Sequence, residues 1–183
     1  MKEIVPVDFW TWAYSDLLSN ALRGVLAEYI VALAVGCTHR PRLEWDAYDL
    51  KTDSGLKIEI KSAAYLQTWQ QKRPSSIRFD ICSKKGWDAE TNISALEASR
   101  SADVYVFCVF TALARENANP LNLTQWFFLV CPTEVLGRRF GQRKTVALSS
   151  LESLGLERVS FDALAGAIHK AAASPSSVLT ANG

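Results

Sequence analysis

The sequence has few of the side chains that build disulfide frameworks or zinc sites. Its 183 residues include four cysteines, which are widely spaced and form no CxxC pair, and only two histidines. Structural zinc sites and disulfide-rich domains need such residues at short, regular spacings. We therefore interpret the cysteines as reduced core thiols; they are Cys37, Cys82, Cys108 and Cys131.

Long apolar segments are also absent. The longest apolar run, residues 29–37, is far too short to span a bilayer. At the N-terminus, Lys2 and Glu3 precede a tryptophan-rich stretch, and no basic segment leads into an apolar signal core. These features predict a cytoplasmic protein that does not associate with membranes.

Neither sign of charge dominates the chain. It has 20 Lys and Arg residues against 19 Asp and Glu residues, which gives a formal net charge of +1. The chain therefore lacks the overall basicity of many nucleic-acid-binding proteins. Any binding to nucleic acid must rely on a local basic surface and a bound metal.

The sequence does contain enough apolar residues for one sizeable core. Hydrophobic residues make up 49% of the chain and charged residues 21%. This composition predicts a single α/β domain that spans residues 1–173. Residues 174–183 form a small-residue tail that we expect to be disordered. The residue patterns predict helices at 15–36, 92–100 and 161–173 and strands at 42–51, 56–62, 77–83, 104–113 and 125–131.

One predicted strand carries a carboxylate and an ammonium group on the same face. Side chains alternate between the faces of a strand, so Glu59 and Lys61 point one way while Ile58 and Ile60 point the other. Taken alone, such a pair is most simply a solvated salt bridge. Its significance depends on what the preceding strand and helix bring to it.

The preceding strand offers two carboxylates, Asp46 and Asp49, which lie on opposite faces because their separation is odd. A three-residue turn ending at Gly55 would place Asp49 opposite Glu59 and keep one face of the hairpin apolar. A two-residue turn would place Asp46 opposite Lys61 and split the apolar pattern. We favour Asp49 and keep Asp46 as the alternative.

A third carboxylate lies on the preceding predicted helix. Glu28 is the only charged residue between Gly24 and Gly36, and an ionised carboxylate among apolar residues requires a partner. A metal-bound water or Lys61 would supply one. Arg23 would also do so, in a purely structural role.

Two adjacent carboxylates repel one another and usually need a cation between them. We expect Mg²⁺ or Mn²⁺, bound by Asp49, Glu59 and the Ile60 carbonyl, with Glu28 contacting the metal through water. Such an ion polarises a phosphate and lowers the pKa of a bound water. Lys61 would orient that water and offset the charge that develops on the phosphate.

These residues follow the order of a known motif series. The chain resembles the PD-(D/E)XK, or restriction-endonuclease-like, nucleases, and is identified as a bacterial-type member. Three segments carry the resemblance: Arg23-Gly24-Val25-Leu26-Ala27-Glu28, Tyr48-Asp49-Leu50 and Ile58-Glu59-Ile60-Lys61-Ser62. The motifs cover residues 17–62; beyond them, only the order of the predicted elements resembles the family's αβββαβ core, a central mixed sheet flanked by helices. No proline precedes either Asp46 or Asp49, which departs from the pattern of the family.

The resemblance implies hydrolysis of phosphodiester bonds in DNA, or less often RNA, with a divalent metal. In that interpretation Glu28, Asp49, Glu59 and Lys61 are the catalytic residues of a hydrolase, and the protein acts in DNA processing or in defence against foreign DNA. The alternative is a catalytically inactive nuclease-fold module that binds or assembles within a larger complex. The near-neutral charge and the six tryptophans fit this alternative. A homodimer is also compatible with the sequence.

Contacts with nucleic acid are expected from the loop after the strand of Glu59. There, Gln67, Lys72 and Arg73 could meet a phosphate backbone, although a solvated loop explains them equally well. Two other basic patches are alternatives: Lys84 with Lys85, and the group Arg138, Arg139, Arg143 and Lys144.

Overall fold

A computed structural model describes residues 3–42, 47–88, 93–94 and 96–173 of the chain. Its helices are α1 (Pro6–Tyr14), α2 (Asn20–Ala34), α3 (Thr133–Phe140), α4 (Leu148–Glu152) and α5 (Phe161–Ala173). Its strands are β1 (Leu50–Lys51), β2 (Lys57–Ala64), β3 (Arg78–Asp80), β4 (Trp87–Asp88), β5 (Ile93–Ser94), β6 (Val104–Phe110), β7 (Trp126–Pro132) and β8 (Thr145–Ala147). The predicted tail at 174–183 lies outside the described residues, as does Asp46.

The main sheet has four strands in the order β1-β2-β6-β7. β2 runs parallel to β6, and the other neighbouring strands are antiparallel. A parallel pair needs a long crossover, and the connection from β2 to β6 provides one. The predicted α/β architecture, a central mixed sheet flanked by helices, is confirmed.

β6 forms the centre of the core. All seven of its residues are buried, as expected of an apolar strand covered on both faces. Phe107 packs with residues of α3, α4 and the β3–β8 ribbon, whereas Phe110 packs with residues of α2 and α5. The continuous apolar runs of β6 and β7 predict strands that are central in the sheet or pair with one another, and the two pair along the full length of β6.

The hairpin of β1 and β2 has the predicted three-residue turn. Leu50 pairs with Ile58, and the Thr52 N–H donates to the Leu56 carbonyl at 2.9 Å. Gly55 has a φ of 88°, a left-handed conformation that glycine adopts without steric cost. This register keeps Leu50 and Ile58 on the apolar face of the hairpin, and it places Asp49 opposite Glu59.

The predicted helix at 15–36 is shorter than expected. It begins at Asn20, because Ser19 caps it by accepting a hydrogen bond from the Leu22 N–H at 3.2 Å. It ends as predicted near Gly36, whose φ is 73°. Residues 6–14 form the separate helix α1.

Of the two elements predicted between β2 and β6, one is confirmed in part and one is wrong. The strand predicted at 77–83 is present in shorter form as β3, which is antiparallel to its neighbour and buries alternate side chains, but that neighbour is β8 and not a strand of the main sheet. The helix at 92–100 is replaced by strand β5 and by a bridge between Lys84 and Ser99. Asn92 and Ala95 lie outside the described residues.

The four cysteines are free thiols, as predicted. Cys108 and Cys131 are buried in the core, whereas Cys37 and Cys82 are only half-buried because they follow the ends of α2 and β3. Among the described residues, no helix is both long enough and apolar enough to cross a membrane.

Candidate active site

Strand β2 places a carboxylate and an ammonium group in direct contact. The Lys61 Nζ donates to the Glu59 Oε1 at 2.5 Å, and Glu59 is only 8% exposed. On the other face of the strand, Ile58 and Ile60 pack with residues of α2. The predicted same-face pair is therefore confirmed, and it is a buried ion pair rather than a solvated one.

Asp49 lies at the edge of β2, next to this pair. Its Oδ2 accepts a hydrogen bond from the Ile60 N–H at 2.6 Å, and its own N–H donates to the Ile58 carbonyl at 3.1 Å. The N–H and carbonyl of a strand residue point to the same edge, so the Ile60 carbonyl also faces the Asp49 side. The sequence-based preference for Asp49 agrees with this geometry.

The surroundings of the site change the pKa values of Asp49 and Lys61. Burial, followed by the negative charge of Glu59, raises the pKa of Asp49 to about 6, against the opposing effects of the Ile60 N–H and Lys61. Burial lowers the pKa of Lys61, but Glu59 and Asp49 more than offset it, so the pKa is raised overall. Lys61 is therefore charged at neutral pH, and its single positive charge faces two carboxylates.

Glu28 lines a cavity together with Asp49, and it has a partner that the sequence did not predict. A cavity of about 270 Å³ is lined by both Glu28 and Asp49, which places the helical carboxylate near the hairpin. Arg42 binds Glu28 through its Nε and through its Nη2, which lies 3.1 Å from the Glu28 Oε1. The alternative pairing with Arg23 is wrong, because the Arg23 guanidinium is buried and donates to Leu18 and Asn20.

The residues present fit a metal held by few side chains. Asp49, Glu59 and the Ile60 carbonyl are the groups that could bind it. Within the described part of the chain, no three His, Cys, Asp or Glu side chains are grouped so that they could hold an ion by themselves. A site here thus needs the backbone carbonyl and water as additional ligands, as Mg²⁺ sites commonly do.

Comparison with known proteins places this geometry in a family context. The family model described as Bacteriophage T4 endonuclease IV matches residues 11–150, which is most of the chain. The chain belongs to the bacteriophage T4 endonuclease IV family. A search of curated proteins returned no match.

The endonuclease IV match includes every residue of the candidate site. Glu28, Asp49, Glu59 and Lys61 fall within it, together with the sheet that carries them, whereas α5 lies beyond its end. An endonuclease hydrolyses phosphodiester bonds within a nucleic acid. The prediction of a nuclease is therefore confirmed at the level of this family.

The structure separates the three residues predicted to contact nucleic acid. Gln67 is buried, and its side-chain amide donates to the Ala64 carbonyl at 2.9 Å. It therefore shapes the loop of this endonuclease IV family member instead of presenting an amide to solvent. Lys72 and Arg73 are exposed and line a surface groove with Trp69; their contact with substrate stays a prediction.

Two residues near the site were not assigned to it from the sequence. The Lys84 Nζ lies 3.8 Å from the Glu59 Oε1, and the Lys84 side chain is 63% exposed. The Lys84 side chain therefore lies at the solvent-exposed side of the site, with its ammonium group close to the buried Glu59 carboxylate. Arg42 reaches Glu28 from the loop after α2. The sequence indicated Lys84 only as part of an alternative basic patch. The contacts of Lys84 with Glu59 and of Arg42 with Glu28 join residues far apart in the chain, so local patterns do not predict them.

Proposed function

We propose that this protein is a metal-dependent endonuclease that cleaves DNA with a site of the PD-(D/E)XK type. The observation that carries the proposal is the group formed by the buried Glu59 and the half-buried Asp49 and Lys61 around strand β2, inside the segment that matches an endonuclease family. The order of α2, the hairpin and β6 supports the comparison with PD-(D/E)XK nucleases. The described residues between β3 and β6 form no helix, which departs from it.

The proposed ligands of the metal are Asp49, Glu59 and the Ile60 carbonyl. The raised pKa of Asp49, caused in part by Glu59, supports this assignment because a cation between the two carboxylates relieves their repulsion. Bound Mg²⁺ or Mn²⁺ would supply a Lewis acid for the phosphate and a more acidic water. Glu28 lines the same cavity as Asp49 and is proposed to contact the metal through water.

The chain's own cations have distinct proposed roles. Lys61 stays charged at neutral pH and is held against Glu59, so it can orient the attacking water and stabilise negative charge on the phosphate. Lys84 is more exposed and carries its ammonium group to the rim of the site, where it can bind a phosphate of the substrate.

The test is a cleavage assay with plasmid, linear, single-stranded and branched DNA, and with RNA, in the presence of Mg²⁺ or Mn²⁺. We expect cleavage of at least one DNA substrate, abolition by a chelator, and a loss of about 100-fold or more in rate for Lys61→Ala. Lys170→Ala is the matched control, because it removes an exposed lysine of α5 outside the family match.

Three results would count against the proposal. Cleavage that survives both chelation and Lys61→Ala would exclude this site as the source of activity. Cleavage of RNA alone would exclude DNA as the substrate. Tight binding of Mn²⁺, lost in Glu59→Ala and accompanied by no cleavage of any substrate, would favour the inactive binding module.

A further inference from the structure

The N-terminal helix α1 is a largely apolar helix that the rest of the described chain leaves exposed. None of its nine residues, all of which the structure describes, is buried. Its four aromatic side chains are each about half exposed or more, and Trp12 is 84% exposed. Asp8 and Thr11, three residues apart, give the helix one polar side. Apolar side chains on the rest of such a helix normally pack against another element, and within the described residues none buries them.

A second uncovered apolar surface lies on α2. Val25, Tyr29 and Leu33, which we call the α2 row, follow one another at intervals of four residues and are each at least 40% exposed. The opposite side of the helix, with Ala27 and Ile30, packs in the core. Side chains four residues apart form a continuous ridge, which is the surface on which another helix packs.

Together these surfaces are large enough for a stable interface. A buried aromatic side chain covers about 150–250 Å². The five exposed rings of α1 and the α2 row thus leave roughly 600 Å² uncovered, before the exposed Ile4, Val7 and Leu33 are added. Specific interfaces bury about 800 Å² on each partner, so these side chains supply most of the apolar area that such an interface needs.

Charge favours a second copy of the chain over other occupants. Helix α1 has one charged residue, Asp8, and no Lys or Arg, so it lacks the basic residues with which interfacial helices bind anionic membranes. With a single charged residue, α1 also cannot form the complementary charge pairs through which a strongly charged partner protein would recognise it. A second copy supplies an apolar helix for the α2 row and an apolar row for α1, and a net charge of +1 causes little self-repulsion.

We propose that two copies form a symmetric dimer in which α1 of each copy packs on the α2 row of the other. The contact is isologous, because the same two surfaces meet twice about a two-fold axis. Val25 and Tyr29 of the α2 row also line the cavity that contains Glu28 and Asp49. The dimer therefore places the partner's helix beside the candidate active site, whether or not that site is a nuclease.

The first test measures the mass of the full chain in solution over a wide range of concentration. We expect twice the chain mass of 20.3 kDa. Trp12→Glu and Leu33→Glu should each weaken dimerisation by about 30-fold or more, because each adds a charge to an apolar interface. Leu121→Glu is the matched control: it changes an exposed leucine outside both surfaces and should leave the dimer intact. Circular dichroism checks that each variant is folded.

The second test distinguishes contact between copies from contact within one. It uses Trp12→Cys and Leu33→Cys as separate chains, in a background of Cys37→Ser and Cys82→Ser. We expect a disulfide-linked dimer only when the two chains are mixed. A third chain carries both Trp12→Cys and Leu33→Cys. The proposal would be overturned if the wild type is monomeric, if the dimer tolerates both glutamate variants, or if a disulfide forms only within this third chain.

Discussion

Ile58 and Ile60 lie on one face of β2, and Glu59 and Lys61 lie on the other. The first pair packs under α2, where burial alone stabilises it. Glu59 is almost as buried, but its charge is tolerated because Lys61 contacts it and Lys84 lies nearby. The two faces of β2 are therefore similar in burial and differ in that the charged face needs a partner of opposite charge.

The largest expected effect concerns the apolar face. Ile58 is fully buried, so Ile58→Ala should lower the free energy of unfolding by about 2–5 kcal/mol through lost burial and a residual cavity. Chemical denaturation measures the change. Leu121→Ala, at an exposed leucine, is the control and should change stability by less than about 0.5 kcal/mol. A neutral Ile58→Ala would mean that this face is not packed as described.

A smaller effect concerns the acidic side of the strand. The pKa of Asp49 is raised to about 6 in the folded protein, first by burial and then by Glu59. The folded state therefore holds this proton more tightly than the unfolded state, and the stability that it contributes is present at low pH and is lost as pH rises through about 6. Without metal, the Asp49 contribution should increase by about 1 kcal/mol from pH 7 to pH 5.

The measurement compares denaturation curves of the metal-free wild type and Asp49→Asn at the two pH values. The difference in stability between them isolates the titration of Asp49, since other groups titrate in both proteins. The same difference at both pH values would contradict the raised pKa. If a metal binds Asp49, its affinity should fall as the pH drops below about 6, because the proton and the metal compete for the carboxylate.

The smallest effect is expected at the rim of the charged face. Lys84→Ala removes the exposed ammonium group next to Glu59 and should reduce the rate of cleavage by about three- to tenfold. The slope of log affinity for DNA against log salt concentration should become less steep by about one, the amount expected for one lost phosphate contact. Lys85→Ala is the matched control, because it removes the adjacent exposed lysine. Equal effects of the two variants would indicate a general loss of basic charge instead of a contact at the site.

Much of the site was predictable because it depends on local geometry. The alternation of side chains along β2 places Glu59 and Lys61 together, and the turn residue Gly55 determines the register that selects Asp49. The apolar composition of β6 and β7 predicts strands that are central in the sheet or pair with one another, and the structure shows that they pair. Helix α2 begins at Asn20 and not at residue 15, because the Ser19 side chain caps it there.

The sequence by itself determined the chemistry of the hairpin, since turn type and strand periodicity act within a few residues. Only the tertiary structure decided which distant residues contact the site: Arg42 pairs with Glu28, and Lys84 lies near Glu59. It also decided that β8 is the partner of β3. It also showed that Gln67 turns inward. These outcomes depend on how loops bring together segments far apart in the chain, and no local periodicity encodes them.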